Sequence, residues 1–214
     1  MSLDALRAPG MGALVLIFAL CVGAYWTMIA LIPQALSTQL NTSSAQTSAA
    51  NALLLGAGIP GMYLAGAYVD RTHNYERAIN VCIAVVVPGV VILALLLQYV
   101  HGSTAVTWIM VVCAALGFFF SALQPAILEL AAEVTYPKPP FVSCSLVYLF
   151  SQFSGFAFIF ISQKLTNPVT KVLNNAIWFY VACVLVSTAG YKLLFNGELK
   201  RLHAGDDVLE RERY

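Results

Sequence analysis

Charge is scarce in this chain, and the scarcity sets its class. Of 214 residues, 10% are Asp, Glu, Lys or Arg and 60% are hydrophobic, whereas a soluble domain is about a quarter charged. The formal net charge of +1 supplies no basic field for nucleic acid. Paired cysteines are lacking too. Cys21, Cys82, Cys113, Cys144 and Cys183 stand singly in apolar runs, a pattern of small packing residues rather than a disulfide framework or a metal site. No nucleophile–base pair or metal cluster is evident, so neither an enzyme nor a cofactor is expected. The opening "MSLDALRAPG" is too polar for the apolar part of a secretory signal. The run after it is too long for one and carries no clear cleavage site.

What the chain has is long apolar runs. A membrane-spanning helix needs about 20 mostly apolar residues. Six such runs are predicted, at 12–36, 47–69, 78–99, 106–130, 143–162 and 174–195, with flanking segments 1–11 and 196–214. No charged residue falls in the central part of any run. If both chain ends share one side, that side holds nine of the 11 basic residues: Arg7, Arg71, Arg77, Lys138, Lys192, Lys200, Arg201, Arg211 and Arg213. Lys164 and Lys171 fall on the other side. Basic residues concentrate on the cytoplasmic side, so cytoplasmic termini are expected. The first outer loop then carries Asn41-Thr42-Ser43, a glycosylation triplet.

An even number of spans with both ends inside is the pattern of one half of a major facilitator transporter, which contains two inverted three-helix repeats. The loop after the second span, "GAYVDRTHNYERA", resembles the major facilitator signature at Gly66, Asp70 and Arg71. Gly66 is expected to let two helices approach closely. Asp70 is expected to sit against a helix N-terminus, and Arg71 to pair with a carboxylate. Glu129 and Glu133 lie one turn apart at the same end of the fourth span. They share a helix face and have Arg71, Arg77 or Lys138 as expected partners in a cytoplasmic gate. A proton-coupling carboxylate would sit nearer the midplane. Pro137, Pro139 and Pro140 are expected to end that helix. In the second span, Gly56, Gly58 and Gly61 fit a dinucleotide spacing, but inside an apolar helix with no preceding strand. Ala57, Gly61 and Ala65 read instead as a small-residue stripe for helix contact, with a bend at Pro60.

Near the midplane, Tyr25 and Trp26 in the first span and Gln152 in the fifth are unusual. A buried amide needs a partner or a cavity. Tyr148 and Gly155 share the helical face of Gln152, which outlines an uncharged pocket with an aromatic wall.

The stretch "LGFFFSALQPAILELAAEVTYPKPP" resembles the feline leukaemia virus subgroup C receptor family, the solute carrier 49 branch of the major facilitators. Glu129, Glu133, Thr135, Tyr136 and Pro137 match its Glu-x-x-x-Glu-x-Thr-Tyr-Pro hallmark. Pro139, Pro140 and Phe141 depart from the acidic residue and glycine that usually follow. The resemblance spans roughly 15–165 and matches the C-terminal six helices of a full transporter. It implies transport of choline or ethanolamine, or of haem, with Gln152 and Trp26 in the solute site and a plasma-membrane location. A second copy or a separately encoded N-terminal half would complete the transporter. A fragment or a non-transporting accessory subunit is the remaining alternative. Haem needs axial ligands, whereas His73, His101 and His203 lie outside the spans. A quaternary ammonium needs aromatic faces, which favours choline or ethanolamine.

Overall fold

The structure is a computed structural model. It describes residues 10–40, 42–100, 103–137, 139–166 and 174–194. These form six helices: α1 Met11–Gln39, α2 Ser44–Thr72, α3 Tyr75–Tyr99, α4 Ser103–Val134, α5 Pro140–Leu165 and α6 Asn174–Leu194. All six are long and apolar enough to cross a membrane. Helices α1, α2, α4 and α5 extend past their predicted runs at both ends, α3 extends only at its start, and α6 follows its run to the last described residue, Leu194. Polar ends explain much of the extension. At α2, the Ser43 side chain accepts from the Gln46 N–H while the Gln46 side chain accepts from the Ser43 N–H, a capping box. At α3, Asn74 Oδ1 accepts from the Arg77 N–H at 3.1 Å. Pro140 sits in the first turn of α5, where a missing N–H costs nothing. Helix α2 runs unbroken through Pro60.

The packing has an internal two-fold pattern. The most extensive helix pairs are α2 with α4 and α1 with α5, followed by α3 with α4 and α1 with α6. Exchanging α1 with α4, α2 with α5 and α3 with α6 maps this set onto itself. The three-helix units α1–α3 and α4–α6 are therefore equivalent, and each docks its first helix on the second helix of the other. Three crossings per unit start the second unit on the opposite side, so the repeats are inverted. The fold is that of a major facilitator half.

Between lipid-bathed helices apolar burial supplies little drive, and close backbone packing supplies more. A Cβ on Gly117 of α4 would overlap the Leu54 carbonyl oxygen of α2, and one on Gly61 would overlap the Phe118 carbonyl oxygen. Helices α1 and α5 are joined by the Ser154 hydroxyl, which donates to the Ala19 carbonyl. Ser187 of α6 donates to the Ile17 carbonyl at 2.8 Å. These two hydroxyls thus find carbonyl acceptors on a neighbouring helix, as hydrocarbon surroundings favour.

Candidate functional site

Tyr25 and Trp26 are adjacent on α1, and adjacent helical positions cannot face the same way. Tyr25 is 6% exposed. Its ring stacks on Phe120 of α4, with centroids 5.2 Å apart and planes at 29°. Trp26 is 40% exposed and lies over Gly155 of α5. A Cβ at Gly155 would stand 3.2 Å from the indole Cδ1. The indole therefore rests on bare backbone, on the open side of the α1–α5 contact.

Tyr148, Gln152 and Gly155 fall at i, i+4 and i+7, on one face of α5. Tyr148 is 37% exposed, and Gln152 is exposed as well. The Tyr148 ring meets Phe18 of α1 edge-on, with centroids 6.2 Å apart. Its hydroxyl donates to Oε1 of Gln124 on α4 at 3.2 Å. The structure therefore brings Trp26, Tyr148 and Gln152 to one open face and turns Tyr25 into the core. It adds Gln124, which sequence reasoning missed. The signal was available: Gln124 is an amide inside an apolar span, as Gln152 is. This wall carries two amides, an indole and a phenol, with no charged side chain. It can accept and donate hydrogen bonds and present π-faces to a cation.

The charged end of the bundle is organised differently from expectation. Glu133 is buried at 2% exposure and accepts from the Tyr75 hydroxyl at 3.2 Å. Tyr75, itself buried, is the first residue of α3. Just past α4, the hydroxyls of Thr135 and Ser143 share a 2.5 Å hydrogen bond, and Thr135 donates to the Ala131 carbonyl at 2.8 Å. These contacts tie α3, α4 and α5 together. Sequence reasoning missed Tyr75, whose place opening a helix after a charged loop gave no cue. Glu129 is exposed, unlike Glu133, and Asp70, Arg71 and Arg77 are exposed on the same side. The α3 N-terminus is capped by Asn74. Nothing lies within 4 Å of where a Cβ on Gly66 would sit. The close approach expected there falls at Gly58, Gly61 and Gly117 instead. Lys138 and Asn41 lie outside the described residues.

Six spanning helices in two inverted repeats, with an uncharged aromatic and amide wall, define an integral multi-pass membrane protein of the major facilitator type. No family profile matches the chain. Curated relatives do. It is 28% identical to solute carrier family 49 member A3 of Xenopus tropicalis over 155 residues, 72% of this chain and 31% of the relative. It is 24% identical to choline/ethanolamine transporter FLVCR1 of Felis catus over 206 residues, 91% of this chain and 36% of the relative. It is 24% identical to choline/ethanolamine transporter FLVCR2 of Homo sapiens over 201 residues, 93% of this chain and 36% of the relative. The chain spans about a third of the length of these relatives. Over most of its own length it is similar to members of the solute carrier 49 family, two of the three named here being called choline/ethanolamine transporters.

Proposed function

We propose that this chain supplies one wall of an alternating-access transporter for a small organic cation of the choline or ethanolamine type. The observation that carries the reading is the uncharged face that presents Trp26, Tyr148 and Gln152, with Gln124 bonded to the Tyr148 hydroxyl. A quaternary ammonium is held by π-faces without a counter-charge, and a neighbouring hydroxyl or amine is matched by amides. Two relatives named as choline/ethanolamine transporters support the same class. Haem is not favoured, because this face offers neither imidazole nor a basic side chain for its propionates.

A major facilitator site lies between two six-helix halves. The second wall therefore comes from further chain, a second copy or a separate subunit. Asp70, Arg71, Arg77, Glu129 and Glu133 gather at one end of the bundle and form the cytoplasmic gate. The chain ends lie on that side, Asn41 on the other, and the plasma membrane is the setting.

The test is uptake of labelled choline by cells expressing the chain with its second half. Removing a desolvated cation–π face costs about 2 kcal/mol, so Trp26→Ala should raise KM roughly 30-fold. Gln152→Ala should raise it roughly three- to tenfold. Unchanged uptake in both variants rejects this site. No uptake by a well-inserted, assembled wild type rejects transport and leaves an accessory role.

A further inference from the structure

A second feature lies away from the solute wall, on the side where α2 and α3 diverge. Helices α2 and α3 are consecutive but scarcely touch, and α4 packs extensively against both. The gap between them is a cleft of about 380 Å³. From α2 it is lined by Gly61, Leu64, Ala65 and Tyr68, the i, i+3, i+4, i+7 face of one helix. Phe119 and Ala122 of α4 are part of its floor. Small residues make the space: Ala65, Ala78 and Ala122 leave room that larger side chains would fill. The inner part, at Gly61, lies well inside the span. The outer part, at Tyr68 and Arg77, lies within a turn or so of the helix ends.

Among the described residues, Arg77 is the one charged residue lining this cleft. Its neighbour Glu76 lines a different groove, between α3 and α6, together with Lys192. The cleft thus pairs an apolar channel, running into hydrocarbon depth, with a guanidinium and a phenol at headgroup depth. That is the polarity profile of a phospholipid. A guanidinium matches a phosphate bidentately. Among the described residues no carboxylate lines the cleft to receive the ammonium of a zwitterionic headgroup, which argues for an anionic lipid.

We propose that the α2–α3 cleft holds one anionic glycerophospholipid, with its phosphate on Arg77 and an acyl chain lying against Gly61, Ala65 and Phe119. The occupant bridges two helices that otherwise barely meet, beside the segment joining them. The site does not depend on which solute is carried.

The experiment is native mass spectrometry of the full chain in detergent, titrated separately with phosphatidylglycerol, phosphatidylcholine and the headgroup glycerophosphoglycerol. Wild type should retain one phosphatidylglycerol at concentrations where phosphatidylcholine is lost and the tail-less headgroup does not compete. Arg77→Gln should weaken retention roughly fivefold, the contribution of one basic side chain at an anionic surface. Val81→Trp should block the chain channel from its rim. Val81 is 53% exposed, so the larger ring does not strain the core. Ala65→Phe should block it from α2. Equal retention of both lipids, competition by the bare headgroup, or undiminished retention in the two filled variants each overturns the proposal.

Discussion

Gly117→Ala adds one methyl group and should be among the more damaging single changes in the bundle. A Cβ at Gly117 falls well inside the 3.0 Å that real Cβ atoms keep from other heavy atoms, and what it meets is the Leu54 backbone: carbonyl oxygen, carbonyl carbon and Cα. A flexible side chain could swing aside; a helix backbone cannot. The α2–α4 contact is the most extensive in the protein, so the two repeats must part along it. Overpacking costs about 1–3 kcal/mol, and the backbone obstacle puts this case at the upper end. With roughly 2–4 °C of melting temperature per kcal/mol at this chain size, the fall is roughly 4–12 °C. Gly12, Gly56 and Gly66 are helical glycines with nothing within 4 Å of an added Cβ. Alanine there should leave the melting temperature level or raise it, because alanine favours helix by about 0.5–1 kcal/mol over glycine. The buried thiols of Cys82 and Cys113 serve as reporters, since a thiol-reactive dye reaches them on unfolding. The sign is the test. If Gly117→Ala melts with the wild type while Gly66→Ala melts lower, the helix contacts described above are misplaced.

Gln124→Leu deprives the Tyr148 hydroxyl of its acceptor and should raise the KM for choline roughly two- to tenfold with little change in melting; a lower melting temperature at constant KM would make Gln124 structural only. Tyr75→Phe removes a donor from the buried Glu133 side chain and should cost about 1–3 kcal/mol, read as a lower melting temperature in the same dye assay, and no shift would mean that the bond contributes nothing. Single cysteines placed at Ser44 and at Thr72, the two ends of α2, should be labelled by an impermeant maleimide from opposite faces of the membrane. Labelling of both from one face would remove α2 from the set of spanning helices.

The helices were legible because the bilayer imposes one length and one polarity, and every apolar run of the right size became a helix. Their ends were less so. The capping box at Ser43 and the Asn74 cap extend α2 and α3 beyond the apolar limits, and polar caps leave no trace in hydropathy. The α1–α5 face was half legible. The oddity of Gln152 and of Trp26 could be read from position. Which of Tyr25 and Trp26 faces outward depends on rotation about α1, and Phe120 of α4, remote in sequence, settles it. Gln124 obeyed the rule that flagged Gln152 and was passed over beside Pro125. Gly66 shows the opposite error: a glycine inside a motif suggests tight packing, yet the tight packing lies one to two turns earlier, where Gly58 and Gly61 face α4.

The internal two-fold gives these particulars a common sense. The α2–α4 and α1–α5 interfaces are equivalent by symmetry, yet they are built differently. On the α2–α4 side, Gly61 and Gly117 bring backbone against backbone and Gly58 takes in the small Ser121 side chain, so such a seam presents no large side chain outward. On the α1–α5 side, Ser154 and Gly155 take the corresponding role, and the indole of Trp26 is laid over the glycine. The contact that joins these helices therefore also exposes an aromatic ring beside Tyr148 and Gln152. The outward residues along the middle of α2, Leu55, Ile59, Met62 and Tyr63, are apolar or aromatic. One repeat interface has been kept as a tight seam and its partner opened into a wall able to recognise a solute. Such a division implies that exchanging the two surfaces, by placing Gln at Ile59 and Ile at Gln152, should abolish recognition without disturbing either seam.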